Sequence, residues 1–234
     1  MEQSERDLPK ETIDLTASSP PSPFDEAGQK LFRRHCGFLS AAAAIEQLPA
    51  VGAPEVAFAG RSNVGKSSLL NALTNRSRLA RTSNSPGRTQ QLNFFAIGDE
   101  VRLVDLPGYG YAAVARQKIA AWTALTLAYL RGRPTLLRVF LLVDARHGLR
   151  DSDREMMDRL DQVAVSYQIL LTKADELKLG QDQAMMAATL AAIRQRPAAF
   201  PQVLMTSART GEGIGALRAG IAQLLFERTS PKPA

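Results

Sequence analysis

One short segment limits the possible folds of this chain more than any other feature. Residues 60–67 read G-R-S-N-V-G-K-S, a full G-x-x-x-x-G-K-S pattern, directly after the apolar, strand-like run 55–59. Its glycines allow backbone N–H groups to curl around phosphate oxygens without Cβ clashes, and the helix that follows points its positive N-terminus at the same anion. The alternative is a glycine turn beside a solvated lysine. The strand before the segment and the helix after it favour a phosphate-binding loop.

This phosphate loop, residues 60–67, assigns roles to particular side chains. Lys66 is expected to reach the β- and γ-phosphates of a nucleotide, and Ser67 is expected to ligate Mg2+. Kinases and ATPases share such loops, so the motif does not identify the base. The residues expected to bind the nucleotide here are Gly60, Arg61, Ser62, Asn63, Val64, Gly65, Lys66, Ser67 and Ser68.

Strand-like and helical segments alternate along most of the chain. Six segments read as strands, at 55–59, 92–97, 101–105, 137–144, 167–172 and 202–206. Five read as helices, at 66–75, 115–131, 151–164, 183–195 and 213–227. The second and third strands are separated by residues 98–100 alone, which is hairpin spacing. The order predicts an α/β fold of the phosphate-loop NTPase class, with a six-stranded, mostly parallel sheet, one antiparallel strand and helices on both faces.

A second motif selects the base. Thr172, Lys173, Ala174 and Asp175 follow the fifth predicted strand, and ligands bind at the carboxyl ends of strands in such sheets. The Asp175 carboxylate can accept hydrogen bonds from both N1–H and N2–H2 of guanine, whereas adenine has no matching donor pair. Lys173 is expected to lay its aliphatic stem along the base. A plain loop is the alternative, and the position of the motif after a strand and downstream of the phosphate loop argues against it.

The segment after the sixth predicted strand completes the expected base site. Ser207, Ala208 and Arg209 lie there, and the Ala208 N–H is expected to donate to guanine O6. A Ser-Ala pair carries no information by itself and counts only because of its position. Together with the phosphate loop, these residues predict a Ras-like G domain that binds GTP and GDP.

Two further segments are expected to sense the γ-phosphate. Asp105, at the end of the third strand, is expected to hold Mg2+ through a water, and the Gly108 N–H is expected to contact the γ-phosphate. The alternative for residues 105–108 is a plain D-x-P-G turn. Upstream, a G domain needs a threonine that ligates Mg2+; Thr89 is the preferred candidate and Thr82 the fallback. The other residues of these segments expected at the nucleotide are Gly87, Arg88, Gln90, Gln91, Leu106 and Pro107.

Two groups of residues therefore carry the predicted chemistry. The predicted catalytic residues are Lys66, Thr89 and Gly108. The predicted Mg2+ ligands are Ser67, Thr89 and Asp105.

The ends of the chain differ from its middle in composition. Residues 1–30 are polar, with seven acidic and three basic side chains and a Pro/Ser-rich stretch, and are expected to form a disordered extension. The folded domain is expected over 31–228, with a disordered tail at 229–234. The net charge is +6, so the part beyond residue 30 carries +10. That excess favours a polyanionic partner such as RNA, the alternative being simple solubility.

The same sequence points away from membranes and from disulfide chemistry. Apolar runs are too short to span a bilayer, and the acidic N-terminus has no apolar region typical of a secretory signal. Cys36 is the single cysteine, which excludes an internal disulfide and a cysteine-cluster zinc site. A cytoplasmic monomer without a membrane span is expected.

Four strings are distinctive: residues 60–69, the P-G-R-T-Q at 86–90, the D-L-P-G-Y-G-Y at 105–111 and the T-K-A-D at 172–175. Taken together they resemble the EngB family (also called YihA or YsxC) of translation-factor-related GTPases. The resemblance spans about residues 38–228. It implies a GTPase that assists assembly of the large ribosomal subunit, with that subunit or its rRNA as partner, and that is needed for normal cell division and septation.

The residue after Gly108 bears on the rate of hydrolysis. Many GTPases place a water-positioning glutamine there, whereas this chain has Tyr109. Slow intrinsic hydrolysis, accelerated by a partner, is therefore expected. In related G domains an asparagine at the position of Asn63 can help hold K+; the alternative is an asparagine that tolerates a tight turn.

Two other functions stay open at this point. One is a small-molecule or nucleotide kinase that uses the same phosphate loop, which Asp175 and Tyr109 argue against. The other is a non-enzymatic RNA-binding or division scaffold with a structural nucleotide.

Overall fold

The fold is an α/β sandwich, seen in a computed structural model that describes residues 22–77, 79, 91–110 and 116–229. The strands in these residues are β1 (Cys36–Ala42), β2 (Glu55–Gly60), β3 (Leu92–Ile97), β4 (Val101–Asp105), β5 (Leu136–Asp144), β6 (Tyr167–Thr172) and β7 (Leu204–Met205). The helices are α1 (Asp25–Arg33), α2 (Lys66–Thr74), α3 (Arg116–Gly132), α4 (Asp151–Gln162), α5 (Gln181–Ile193) and α6 (Ile214–Thr229). Two short 3-10 turns lie at Ile45–Gln47 and Ala174–Glu176.

The strands form one sheet in the order β1-β3-β4-β2-β5-β6-β7. Strand β3 is antiparallel to both of its neighbours, β1 and β4, and every other neighbouring pair is parallel. The hairpin predicted from residues 98–100 is confirmed, and so is the single antiparallel strand. Parallel neighbours bring the carboxyl ends of β4, β2, β5 and β6 to one edge of the sheet, where α/β folds bind ligands.

Helices cover both faces of the sheet, as the sequence predicts. Along β2 the side chains alternate: Val56 and Phe58 belong to one buried cluster, and Ala57 and Ala59 belong to the other. The first cluster includes buried residues of α1, α2 and α6, and the second includes buried residues of α3, α4 and α5. Because β2 is covered on both sides, its sequence is a continuous apolar run rather than an alternating one.

The sheet has one strand more than predicted. Among the described residues β1 pairs with β3 alone, at the edge of the sheet, with an irregularity in register between Phe38 and Ser40. Its sequence, C-G-F-L-S-A-A, carries a glycine and small residues and lacks β-branched side chains. Phe38 and Leu39 are exposed, so the segment does not show the alternating burial by which half-buried strands are identified.

The predicted boundaries of the folded domain are also corrected. Helix α1 begins at Asp25, inside the segment expected to be disordered, because Leu31 and Phe32 bury their side chains against α6. Gly28 permits the close approach: a Cβ there would lie 2.6 Å from the backbone carbonyl carbon of Arg218. At the other end, α6 continues through Thr229. Residues 1–21 and 230–234 lie outside the described part of the chain, and their predicted disorder stays a prediction.

A buried ion pair anchors the start of β2, at the opposite end of the strand from the phosphate loop. The Glu55 side chain is fully buried, and it accepts hydrogen bonds of 2.9 and 2.6 Å from Arg133. The hydroxyl of Tyr129 donates a third bond of 3.0 Å to the same carboxylate. The hydrogen bond to Glu55 raises the pKa of Arg133, with burial opposing it. Helix α3, which carries Tyr129, is thereby tied to the first strand of the nucleotide site.

Candidate functional site

The phosphate loop leaves β2 and enters α2, as predicted. Its backbone adopts left-handed conformations at Asn63 (φ 63°) and Gly65 (φ 101°). Alternation of this kind curls a chain into the concavities that bind anions. Between the two residues, Val64 is buried, and its carbonyl accepts a 2.7 Å hydrogen bond from the Thr172 hydroxyl. The loop is therefore held from behind by the end of β6.

Lys66 and Asp105 meet at the mouth of this loop. Lys66 is the first residue of α2 and Asp105 the last of β4, and Lys66 Nζ donates to Asp105 Oδ1. Their side chains are 12% and 7% exposed. The register that sets Asp105 beside Phe58 of β2 brings the carboxylate to the edge where the loop begins. The structure thus joins two residues, 39 positions apart, that the sequence assigns to phosphate and to metal.

The donor set at this edge fits a magnesium ion. Mg2+ is usually held by one or two protein oxygens, with phosphates and waters as the remaining ligands. Within the described ranges, no group of three or more His, Cys, Asp or Glu side chains could hold a metal by itself. Ser67 follows Lys66 directly, and Asp105 contacts Lys66, so a hydroxyl and a carboxylate adjoin the same lysine. This combination suits a metal that arrives with a nucleotide.

Gly108 packs against the phosphate loop so closely that a larger residue would disturb it. A Cβ at Gly108 would lie 3.3 Å from Ser62 Oγ and 3.4 Å from Ser62 N. Two backbone hydrogen bonds fix this approach: Tyr109 N donates to Gly60 O over 3.3 Å, and Ser62 N donates to Tyr109 O over 3.1 Å. The segment after β4 and the phosphate loop therefore form one backbone unit.

The side chain of Tyr109 leaves that unit and packs against the core. Its hydroxyl donates a 2.8 Å hydrogen bond to Asp153 Oδ1 in the first turn of α4. Burial, and after it the charge of Asp153, raises the pKa of the Tyr109 hydroxyl well above its usual value. Tyr109 thus keeps its proton and donates it in a hydrogen bond to a carboxylate on α4.

Asp153 is a site residue that the sequence reading missed. It is 1% exposed, and its second oxygen accepts a 2.9 Å hydrogen bond from the Arg150 N–H, which stabilises the start of α4. Burial raises the pKa of Asp153, and the bonds from Arg150 and Tyr109 oppose that increase. An acidic residue in a first helical turn is a recognisable capping pattern, but no sequence pattern pairs it with a tyrosine 44 positions earlier.

Asp175 lies at the carboxyl end of β6, where its side chain contacts the segment after β7. Ser207 Oγ donates to Asp175 Oδ1, and Arg209 Nε donates to Asp175 Oδ2 over 2.6 Å. These bonds hold the pKa of the Asp175 carboxyl below its ordinary value, Ser207 making the larger contribution and Arg209 the next. The structure therefore brings together the two segments that the sequence assigns to the base. An ionised carboxylate here can accept from two donors of a guanine edge.

Lys173 joins the base segment, residues 172–175, to the phosphate loop. Its Nζ donates 2.9 Å hydrogen bonds to the Asn63 carbonyl and to Asp144 Oδ2. The sequence reading did not include Asp144, the last residue of β5. Its carboxylate also accepts bonds of 2.9 and 2.7 Å from Arg146.

Asp144 stays ionised although it is largely buried. Burial alone would raise its pKa, but hydrogen bonds from Arg146 and Lys173 outweigh burial and hold the pKa well below the ordinary aspartate value. Arg146 extends the network with a 2.6 Å bond to Glu176, beside Asp175. Ion pairs therefore connect the end of β5 to the segment that follows β6, next to the base segment.

Several other predicted residues lie in the core, at the surface or outside the described part of the chain. Leu106 is a core residue, 1% exposed. Its N–H donates a 3.0 Å hydrogen bond to the Phe58 carbonyl, so of its backbone groups only the carbonyl is left for a nucleotide. Gln91 is exposed just before β3. The predicted residues that lie outside the described part of the chain are Gly87, Arg88, Thr89 and Gln90, together with the fallback Thr82.

None of the helices within the described ranges is both long enough and apolar enough to cross a membrane.

A strand, phosphate loop and helix, with a lysine–aspartate pair at the loop and a second aspartate at the end of β6, define a P-loop GTPase with the G-domain fold. A family model described as "50S ribosome-binding GTPase" matches residues 55–173. The chain is 55% identical over 205 residues to "Probable GTP-binding protein EngB" of Rhodopseudomonas palustris (strain TIE-1), which covers 87% of this chain and 95% of that protein. It is 54% identical over 207 residues to the protein of the same name from Bradyrhizobium diazoefficiens, covering 88% and 95%. The chain belongs to the EngB family of GTP-binding proteins.

Solved structures agree with this fold. The crystal structure of a probable GTP-binding protein engB superimposes with a TM-score of 0.59 at 20% identity, over 74% of this chain and all of that one. Translation elongation factor SelB from Methanococcus maripaludis, in complex with the GTP analogue GppNHp, has a TM-score of 0.54 at 18% identity, over 80% of this chain and 36% of that one. At such identities the likeness concerns the fold alone.

Proposed function

We propose that this chain is a nucleotide switch with slow intrinsic GTP hydrolysis that acts in assembly of the large ribosomal subunit. The observation that carries the proposal is the backbone pairing between the phosphate loop and the segment of Gly108 and Tyr109. A switch needs a segment that senses the γ-phosphate at one end and changes an outer surface at the other. The segment after β4 meets the first requirement by its position.

Positioning and charge neutralisation carry most of phosphoryl transfer. Lys66 and the backbone N–H groups of the phosphate loop neutralise the phosphates, and the Gly108 N–H binds the γ-phosphate. Ser67, Asp105 and Thr89 would hold Mg2+, which would supply further positive charge to neutralise the phosphates. Asp175 selects guanine through its paired acceptors, with Ser207 and Arg209 orienting the carboxylate.

Slow hydrolysis follows from the chemistry of residue 109. A glutamine at that position would orient the attacking water through its amide. Tyr109 instead donates its hydroxyl hydrogen bond to Asp153 on α4, and a phenol with a raised pKa is a poor base at neutral pH. The missing water-positioning group then has to come from a partner, which makes hydrolysis dependent on the assembly that the protein binds.

Three observations support a ribosomal partner. The description of the matching family model, "50S ribosome-binding GTPase", names binding to the 50S ribosome. The chain beyond residue 30 carries a charge of +10, which favours association with RNA phosphates. Arg76, after α2, is exposed and begins an arginine-rich stretch that continues at Arg78, Arg81 and Arg88 in the sequence.

A need for the protein in cell division and septation would follow indirectly, because defective ribosome assembly slows growth. We propose that it acts in the cytoplasm as a monomer.

Co-sedimentation with purified ribosomal subunits tests the switch. The protein, loaded with GDP or with GppNHp in magnesium buffer, is centrifuged with large and small subunits separately. Binding to the large subunit that is at least several-fold stronger with GppNHp is expected. Equal binding in both nucleotide states, or preference for the small subunit, contradicts the proposal.

Two variants separate the alternatives. Lys66→Ala removes the phosphate contact and should abolish the GppNHp-dependent binding, whereas Lys178→Ala removes an exposed lysine elsewhere and should not. A scaffold with a structural nucleotide would bind the subunit equally with Lys66→Ala. A kinase should prefer ATP, so ATP would then displace fluorescent GDP better than GTP does.

A further inference from the structure

Tyr109 is held at both its backbone and its side chain, by different parts of the molecule. Its backbone N–H and C=O pair with Gly60 and Ser62 of the phosphate loop, at 3.3 and 3.1 Å. Its hydroxyl bonds to Asp153 of α4 at 2.8 Å. A single residue therefore bridges the loop that binds phosphate and a helix on the outside of the sheet.

Asp153 is suited to hold this bridge in one position. One carboxylate oxygen accepts the Tyr109 hydroxyl, and the other accepts the Arg150 N–H at the start of α4. The side chain is 1% exposed, so water does not compete for either bond. Charge-assisted hydrogen bonds in such surroundings are stronger and more directional than exposed ones.

Gly108 precedes Tyr109 and depends on this arrangement. The gap between Gly108 and Ser62 has no room for a Cβ without contact at 3.3 Å. Because Gly108 and Tyr109 share a peptide bond, a small movement of Tyr109 would shift Gly108 relative to the loop.

We propose that Tyr109 and Asp153 are positioning residues that set the Gly108 N–H for the γ-phosphate, so that discrimination between GTP and GDP depends on their hydrogen bond. The proposal rests on the γ-phosphate contact of Gly108 in the proposed function, and it adds the part of the chain that fixes that contact. It also gives α4 a role, because a partner that displaces the start of α4 would loosen Gly108 and lower the affinity for GTP.

A second pair in the same protein supplies a matched control. Tyr129 also donates its hydroxyl to a buried carboxylate, that of Glu55, at 3.0 Å. This pair lies at the start of β2, remote from Gly108 along the strand. Tyr109→Phe and Tyr129→Phe each remove one tyrosine–carboxylate hydrogen bond and leave the aromatic ring in place.

The experiment measures affinities for fluorescent GDP and fluorescent GppNHp, in magnesium buffer, for the full-length protein and its variants. Tyr109→Phe and Asp153→Asn are each expected to lower the ratio of GppNHp affinity to GDP affinity by about tenfold, the scale of one hydrogen bond to a charged group. The double variant should lose little more than either single variant, because both remove the same contact. Tyr129→Phe should leave the ratio unchanged, although it lowers the melting temperature.

The outcomes distinguish this proposal from the proposed function. If Tyr109→Phe lowers the melting temperature but leaves the ratio at the unmodified value, the pair is only structural and the positioning proposal is overturned. An equal loss of ratio in Tyr129→Phe overturns it too, because a general destabilisation then explains the effect. If the unmodified protein binds no guanine nucleotide, the proposed function fails as well, and GDP affinity reports that result separately.

Discussion

Lys173 Nζ donates a 2.9 Å hydrogen bond to the backbone carbonyl of Asn63, a residue 110 positions earlier in the chain. The same ammonium group contacts Asp144 at the end of β5. The base segment and the phosphate loop are thus tied by one side chain. Movement of either segment therefore strains the bonds that Lys173 makes to Asn63 and Asp144.

Asp175→Asn should weaken guanine nucleotide binding by on the order of 10³-fold, because the amide presents one acceptor where guanine offers two donors. Displacement of fluorescent GDP by GTP and by ATP measures the effect and the loss of base selectivity. The neighbouring Glu176→Gln is the matched control: it removes a carboxylate that pairs with Arg146, not with the base. Unchanged GDP affinity in Asp175→Asn would show that another residue reads the base.

Glu55→Gln should lower the free energy of unfolding by about 3–5 kcal/mol, because Arg133 would stay buried without a charged partner. Urea unfolding followed by circular dichroism measures this difference. Glu46→Gln, at an exposed position, should have little effect. Similar midpoints for the two variants would mean that the buried pair contributes nothing to stability.

Acid should destabilise the protein through the two aspartates at the base site. Hydrogen bonds from Ser207 and Arg209 lower the pKa of Asp175, and the bonds of Asp144 to Arg146 lower its pKa against the opposing effect of burial. A lowered pKa in the folded state means that the unfolded chain binds protons first as the pH falls. The stabilisation is therefore complete above the pKa of an unfolded aspartate, about 3.9, and is lost below it.

Replacing the arginine that holds Asp175 should reduce this dependence. We measure the midpoint of urea unfolding at pH 6 and at pH 3. In Arg209→Gln this midpoint is expected to fall less between the two pH values than it does in the unmodified protein. Arg154→Gln, an exposed position on α4, should keep the original dependence. If the urea midpoint changes equally with pH in all three proteins, Arg209 does not contribute to the dependence of stability on pH.

Potassium should accelerate GTP hydrolysis if the side chain of Asn63 helps to hold the ion, and not if Asn63 serves only the turn. The positive φ of Asn63 is what the turn alternative requires, and it is compatible with both. Asn63→Gly separates them because glycine tolerates the same φ and lacks the amide. Hydrolysis is measured in KCl and in NaCl. A potassium effect that disappears in Asn63→Gly supports the ion, and one that persists contradicts a role for the side chain.

Motifs carried by contiguous residues were predicted well, because their physics is local. The phosphate loop needs its glycines, lysine and serine within one turn between a strand and a helix, and the sequence 60–67 contains them all in order. The hairpin of β3 and β4 was equally clear, since three residues leave no room for another connection. Continuous apolar runs marked the strands that are covered on both faces.

Elements defined by distant partners were missed for the opposite reason. Strand β1 exists because β3 offers it an edge, and its own residues have weak strand propensity. Helix α1 is stabilised by contact with α6, at the far end of the chain. Short helices of this kind gain most of their stability from packing rather than from propensity.

The sequence by itself determined the class of fold, the phosphate loop and the family, and it predicts Asp175 as the residue that reads guanine, because each depends on residue types at fixed local spacing. The tertiary structure alone decided that Tyr109 turns to Asp153, that Lys173 ties Asn63 to Asp144, and that Glu55 is neutralised by Arg133. Each of these pairs joins residues on different elements. Their contact is fixed by the order of strands in the sheet and by burial that excludes water, and neither of these is written in any single segment of the chain.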